Sequence, residues 1–460
     1  PPNSSLVTWS SPTDPSNPQN FPSLLRWTLI TLVSLVTFAA GLSSSMFAPA
    51  VPAVMAEFRS TNAALASFIV TVYVLGLATG PLFFAPLSEL YGRLGVQHVG
   101  NLGFLLFTVA CAEARGLGTL VAYRLLQGIF AAVPLTNGGG IIADMVRQEE
   151  RGFALAMFTL GLLFGSVVGP VGGGYLAAAE GWRWVFWVQA ILIGIVFLAS
   201  LILWRETYAP VLLERKAARL RLETGNSTLR TKYDTGLSKT GYFKRGISRV
   251  LKMLVFSPIV LAFAVYMGLM YSYFYLLVTI LTPIYEDVYG FSSSSVGLSF
   301  LGIGVGFLLG QVAFAATSDR ILKHLTERSQ EKEMKPEYRL PPAIVGGICM
   351  PIAFFWFGWS AHARAHWVLP IIGTCFLGFG NSLIIMTIQS YSIDAFTVYA
   401  ASALGANTVL RSVMAATLPL AAPKMFDTLG LGWGNSLLAF LALAMVPIPW
   451  LLYIYGERIR

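Results

Sequence analysis

Twelve long apolar segments follow one another along the chain. Each is close to the roughly 20 residues that carry a helix across about 30 Å of hydrocarbon. They lie at 24–48, 62–87, 96–113, 119–142, 151–177 and 183–204, then at 258–282, 293–317, 341–360, 366–390, 400–422 and 433–455. Any one of them could be a buried helix of a soluble protein. Twelve in series could not be covered by polar surface, because only 12% of residues are charged against about 25% in a soluble domain. The long unbroken runs also exclude a β-barrel, whose strands alternate over short stretches. The expected fold class is an all-α polytopic membrane protein with twelve transmembrane helices in two six-helix halves, 24–204 and 258–455. An N-terminal arm (1–23), a polar linker (205–257) and a tail (456–460) complete it.

Charge sets the expected orientation. Of 31 Lys and Arg residues, 24 fall on the side that carries both termini, five on the other side, and two within spans. Basic residues stay in the cytoplasm, so both termini are expected there, and the sequons at Asn3 and Asn226 should carry no glycan. Placed this way, the net charge of +9 concerns the membrane rather than nucleic acid, and no nucleic-acid partner is expected. The arm is rich in Pro, Ser and Asn, lacks a signal-peptide pattern, and reads as disordered or loosely attached. In the linker, Ala209–Leu222 can form a helix with Val211, Leu212 and Leu213 on one side and Arg215, Lys216, Arg219 and Arg221 largely elsewhere. That pattern suits a helix on the inner membrane surface or a solvated linker helix.

A few residues break the apolar pattern. Arg124 and Gln127 lie in span 4 and Arg411 in span 11. A charged guanidinium at membrane depth is costly and faces protein or a watery cavity. If both arginines line one cavity, their field disfavours multiply charged cations. Asn101, Asn137, Gln189, Asn381, Gln389 and Asn407 add polar groups at depth, and Tyr271, Tyr273, Phe274 and Tyr275 form an aromatic cluster. These can build the amphipathic wall of a substrate cavity. Span 5 carries Gly161, Gly165 and Gly169 four apart, then Pro170 and Gly173, a face that lets another helix approach closely. At the inner end of span 2, Ser88, Glu89 and Arg93 flank a turn at Gly92. Ser318, Asp319 and Arg320 follow span 8 in the same way, which is a faint internal repeat. Asp144 and Asp394 lie at the inner ends of spans 4 and 10. No acid sits at mid-depth. His362 and His366 occupy an outer connection and are not expected to hold a metal. The three cysteines, Cys111, Cys349 and Cys375, read as packing residues.

APLSELYGR at 85–93, RLLQG at 124–128, GSVVGPVGGG at 165–174, ETYAPVLLERKAARLR at 206–221 and YSIDAFTVYAASALGANTVLRS at 391–412 together resemble a fungal major facilitator superfamily transporter of the twelve-span drug:proton antiporter group. The lead-in WSSPTDPSNPQNFP is similar to that of its fungal members. The resemblance implies the major facilitator fold and a coupling role for Arg124. It assigns Glu89 and Arg93 to a conformational charge network; with Asp319, Arg320, Asp144 and Asp394 these form the expected cytoplasmic gate, and Gly165, Gly169, Pro170 and Gly173 the expected interface motif. Four positions depart from the pattern: Ala85 and Leu94 replace its usual Gly and basic residue, Leu90 stands where a basic residue is common, and Arg205 precedes Glu206 where Pro is common.

The expected activity is transport and not enzymatic: proton-coupled export of small organic compounds by alternating access. The expected partners are a small-molecule substrate, protons and the lipid bilayer, in a monomeric protein of the plasma membrane with no cofactor and no metal. The absence of a Walker glycine loop argues against ATP as the driving force. A dedicated polyamine or organic-anion carrier and a non-transporting membrane sensor are the alternatives. The arginines favour an anion over a polyamine.

Overall fold

The computed structural model describes residues 6–146, 151–233, 239–292, 294–329, 334–396 and 400–459. Asn3 lies outside them, as do Arg147, Lys332 and Arg460 among the basic residues counted above and Thr397–Tyr399 of the span-11 motif. The first half contains α1 (Ser23–Ser45), its short extension α2 (Val51–Glu57), α3 (Ala63–Tyr91), α4 (Arg93–Ala112), α5 (Leu117–Met145), α6 (Arg151–Glu180) and α7 (Trp182–Leu203). Two linker helices follow, α8 (Ala209–Thr224) and α9 (Lys239–Phe256). The second half contains α10 (Pro258–Asp287), α11 (Leu301–Arg328), α12 (Pro341–His362), α13 (Val368–Phe396), α14 (Ala400–Thr417), α15 (Ala422–Met445) and α16 (Pro447–Ile459).

Among the described residues, eleven continuous stretches are long and apolar enough to cross a membrane. The last of them, Ser402–Ile459, has 58 residues and as one straight helix would reach about 87 Å, far beyond a bilayer. It is instead broken by a 3-10 turn at Leu418–Ala421 and by Gly430, whose φ of 70° only glycine adopts freely. α14 packs on α10 while α15 packs on α12, so the stretch makes two crossings and the total is twelve. Leu106, Ile195, Leu309 and Leu441 are exposed on the outside of the bundle, an apolar surface that lipid covers at no cost.

The faint sequence repeat becomes a repeat of packing. α1 lies on α6 as α10 lies on α14, α3 on α5 as α11 on α13, and α4 on α7 as α12 on α15. The halves meet through α3 with α14 and α6 with α11, where Thr71 Oγ1 donates to the Ala416 carbonyl at 3.0 Å. Both termini and both linker helices lie at one end of the bundle, here called the terminal face.

The arm does not match its expected looseness. Leu6–Val7 pairs in parallel with Arg230–Thr231, and Val7 is buried with Ala217 and Leu229 beside α8. Asp14 accepts hydrogen bonds from the backbone N–H groups of Ser10 and Ser16, both at 2.9 Å, and lies 3.5 Å from Lys216 Nζ. Those backbone donors hold its carboxyl well below the usual range, against the opposing effect of burial. Polar composition hid this docking because it uses one carboxylate and one valine rather than an apolar run. α8 accordingly buries Leu213 and Ala217 and serves as the arm's platform, with Leu222 left exposed.

Candidate functional site

Arg124 is fully buried in the first half, and the backbone supplies most of its partners. Its Nη1 donates to the Ser43 carbonyl and to Gln127 Oε1, both at 2.9 Å. Its Nε and Nη2 donate to the carbonyls of Ile69 and Val70, both at 3.3 Å. The rings of Tyr73 and Phe47 stand 4.8 and 5.4 Å from the guanidinium carbon. Gln127 extends the set by donating to Thr108 Oγ1 at 2.9 Å. One cation thus fastens α1, α3 and α5 and, through Gln127, α4. A buried guanidinium is tolerable only when its donors are met in this way.

Arg411 sits in the other half and in a different setting. It is half-buried, with its guanidinium 4.5 Å from the Tyr271 ring, and its Nε is buried without a hydrogen-bond partner. Tyr271 packs on Tyr275 and Phe274 at 5.3 and 5.9 Å, and Tyr73 lies within electrostatic reach of Tyr271 and Tyr275. An aromatic layer therefore joins the two arginines across the boundary between halves. Phe274 belongs to it, 5.3 Å from Phe307. Tyr273 does not: its hydroxyl donates to the Leu438 carbonyl at 3.2 Å and its ring packs on Phe354, inside the second half.

A cleft of about 470 Å³ opens between the halves at the face opposite the termini. Val51, Met55 and Val70 line one side and Thr282, Ile284 and Phe426 the other. Thr279 and Val70 form its deeper part. One helical turn further in, about 5–6 Å, come Tyr275 on α10 and Tyr73 on α3, so the aromatic layer is its floor. The Thr282 hydroxyl is buried with no partner. The only charged residues in the wall are Asp287 and Asp427, both exposed. Neither arginine lines the cleft. Arg124 acts on it from behind, through the Val70 carbonyl.

The remaining polar residues are scattered. Gln189 Oε1 accepts from Ser43 Oγ at 2.8 Å, Asn101 Oδ1 accepts from Gln97 Nε2 at 3.0 Å, and Asn407 Nδ2 donates to Ser392 Oγ at 3.3 Å. Asn137 and Asn381 are fully buried with both amide atoms unpartnered. Gln389 is half-buried. None of these reaches the cleft wall.

Two matching charge networks hold the terminal face. In the first half, Arg93 Nη1 donates to Ser88 Oγ at 2.6 Å, and its Nε lies 3.4 Å from Asp144 Oδ2. The arginine side chain also covers the Tyr208 ring at 4.6 Å. In the second half, Arg339 donates to Ser318 Oγ at 3.1 Å, to Asp319 Oδ1 at 2.7 Å and to Asp394 Oδ2 at 2.8 Å. Serine, arginine and acid occupy equivalent helix ends in both halves. Glu89 is half-buried at the same end of α3, whereas Arg320 is exposed. The partner of Asp319 is thus Arg339.

Sequence reasoning missed two members of these networks. Arg339 starts span 9 as Arg93 starts span 3, and the repeat could have revealed it. Glu206 is buried and accepts from the N–H groups of Arg93 at 2.9 Å and Leu94 at 3.3 Å. It places a carboxylate at the positive end of α4. Gly92 has a φ of 96°, and a Cβ there would strike the Glu206 carboxylate, so a larger residue is barred twice.

The glycines of span 5 also find a specific place. Gly165, Gly169 and Gly173 all press on the α1 backbone, between Phe38 and Met46. That contact lies within the first half and not between the halves. Pro170 does reach across, where its carbonyl meets Gly297, beside Val167, which meets Gly304.

The sequence profile of the Major Facilitator Superfamily matches residues 33–419, which includes the cleft floor, the caged arginine and both networks. The chain belongs to the Major Facilitator Superfamily. It is 52% identical over 458 residues to the MFS-type transporter tndD of Aspergillus flavipes, covering 99% of this chain and 85% of the relative. It is 48% identical over 455 residues to the efflux pump radE of Floropilus chiversii, with the same coverage of each chain. Among solved structures, its fold is similar to the xylose transporter XylE from E. coli in a partially occluded inward open conformation. There the TM-score is 0.69 at 14% identity, over 93% of this chain and 98% of that one. The chain is therefore a multi-pass membrane protein of the secondary-transporter fold, built to move small molecules.

The geometry of Arg124 gives a first prediction. Lysine keeps the charge but loses the planar fork, so Arg124→Lys and Arg124→Gln should both destabilise the first half by about 3 kcal/mol. Purified variants in detergent should show a lower unfolding temperature, and transport should fall with it. A variant as stable as wild type would mean the carbonyl cage contributes nothing.

Proposed function

We propose that the protein exports small, largely apolar organic compounds by proton-coupled alternating access, with both termini in the cytoplasm. The observation that carries this reading is the asymmetry of the boundary between halves. The cleft opens at the face opposite the termini, while α9 passes beneath both halves at the terminal face. There Gly246 lies against Pro86 of α3, and Val250 lies against Gly405 of α14. This is an outward-facing arrangement, and rocking the halves would exchange it for the inward-facing one. A shallower depression of about 740 Å³ on the terminal face touches only α11, α12 and α16 and lies off that path.

The cleft also bears on substrate class. Its wall is mostly apolar, its single buried polar group free of partners is the Thr282 hydroxyl, and its charged groups are both acids. Neutral compounds with an apolar body suit it better than organic anions. The lack of a nucleotide-binding loop argues against ATP as the driving force, and the resemblance to drug:proton antiporters supports protons as the coupling ion. The relative named as an efflux pump accords with export.

Flux into inside-out proteoliposomes tests the reading directly. Neutral hydrophobic dyes should accumulate several-fold when the lumen is acid, and accumulation should collapse with a protonophore. Flux indifferent to the proton gradient would defeat the coupling. Glycan mapping on protein from a eukaryotic membrane tests the orientation: Asn226 should be bare, and an occupied site there would reverse the topology.

A further inference from the structure

Arg320 has no counterpart in the first half. The repeat aligns Ser88 with Ser318 and Glu89 with Asp319, which leaves Leu90 opposite Arg320. The paired networks are complete without it, since Arg339 takes both Asp319 and Asp394. Among the described residues, no ion pair or hydrogen bond holds Arg320, and its side chain is exposed.

It lies instead at the rim of the depression on the terminal face. His324, one turn further along α11, stands beside it. Ile321 and Leu325 lie beside them on the same turns of α11, and Ile344 of α12, one turn in from the start of its helix, forms an apolar wall on the bilayer side. Trp450 and Tyr453 of α16 close the far side. The three helices are ends of membrane spans, so the depression sits where hydrocarbon gives way to headgroups. Its order is that of a phospholipid: basic groups at the rim, amphipathic aromatics at headgroup level, apolar side chains towards the bilayer interior. Trp450 is 56% exposed, which leaves room for an acyl chain along it.

We propose that this groove is a binding site for an anionic phospholipid, whose headgroup phosphate pairs with Arg320 and His324 while an acyl chain lies along Ile344 and Trp450. An anionic headgroup is favoured over a zwitterionic one because, among the described residues, no acid lines the groove. The site holds the end of α11 next to Asp319 and so adjoins the second-half charge network. It stands apart from the substrate cleft and does not depend on what that cleft carries.

The test uses the full chain in phosphatidylcholine nanodiscs and reads the fluorescence of Trp450, isolated as the difference between wild type and Trp450→Phe. Brominated phosphatidylserine, titrated in as a minor component, should quench this signal about fivefold more effectively than brominated phosphatidylcholine, in line with the attraction of basic groups for anionic lipid. Arg320→Gln with His324→Gln should bring the ratio to about one, and Arg320→Lys should keep most of it. Arg320 and His324 are exposed, so these variants should fold, and an unchanged unfolding temperature verifies that. Equal quenching by the two lipids, or a ratio untouched by Arg320→Gln with His324→Gln, overturns the proposal. Displacement of the brominated lipid by millimolar inorganic phosphate also overturns it, since charge alone would then be recognised.

Discussion

Oxidising a Gly246→Cys, Pro86→Cys double variant is expected to stop transport, by at least twentyfold, and reduction is expected to restore it. α9 runs into α10 through the single residue Ser257 and so moves with the second half, whereas Pro86 belongs to α3 of the first. A Cβ at Gly246 would lie 3.3 Å from the Pro86 Cβ, close to the roughly 3.5–4.5 Å span of a disulfide. The bond would tie the halves together at the terminal face and hold the arrangement that is open at the opposite face. Closing motions need only small displacements at the far end of each helix, but opening the terminal face needs this contact to part. The native Cys111, Cys349 and Cys375 are controlled by each single variant, which should not respond to oxidant. The reduced double variant controls for loss of the proline. Flux that continues in fully cross-linked protein would show that α9 and α3 never separate, and the closure of this face would then have to lie elsewhere.

The span count was legible because hydrocarbon demands a continuous apolar run, and that demand leaves its mark on each segment separately. Boundaries were less legible where a helix leaves the membrane. Span 8 continues past 317 to Arg328 because Asp319, Arg320 and Lys323 occupy helical turns beyond the hydrocarbon, where charge no longer signals a loop. Span 12 begins at Ala422 rather than 433, since Lys424 and Asp427 lie on a polar first turn ahead of the kink at Gly430. α9 was hidden in the basic linker, although Phe243, Ile247, Val250 and Leu254 recur at helical spacing.

The site was legible in part, for a related reason. An arginine at membrane depth is improbable enough to single out Arg124 and Arg411 on physical grounds. Their environments were not readable, because carbonyls of Ser43, Ile69 and Val70 are offered by backbone and leave no mark in residue type. Glu206 meets Arg93 across 113 positions of sequence. The motif that begins with that glutamate marked a resemblance, but nothing in it pointed to Arg93 as the partner. Residues whose role is set by a distant partner become visible only once the helices are packed.

Replacing Gly169 with leucine should abolish transport while leaving membrane insertion intact. Insertion depends on the apolar content of the span, which leucine raises. Packing runs the other way. A Cβ at Gly169 would already lie 2.9 Å from Ser45 Oγ and 3.1 Å from both the Leu42 carbonyl oxygen and the Met46 nitrogen. Two of those three atoms are backbone and cannot swing aside. The rest of a leucine side chain would have to push α6 away from α1, at a cost of about 1–3 kcal/mol or more. The displacement would not stay local. Ser45 Oγ donates to the Ser166 carbonyl at 2.8 Å across the same contact, and α1 supplies the Ser43 carbonyl to Arg124 only two residues away. On its other side, α6 meets the second half through Val167 and Pro170, which press on Gly304 and Gly297. A wedge at Gly169 therefore disturbs both the caged arginine and the boundary that must rock. Gly172 has open space at its Cβ position, so Gly172→Leu three residues on is the matched control and should retain most flux. The measurement is substrate flux per folded molecule, with surface or vesicle abundance determined in parallel. Equal flux from the two variants at equal abundance would show that the close approach of α1 and α6 has no part in transport.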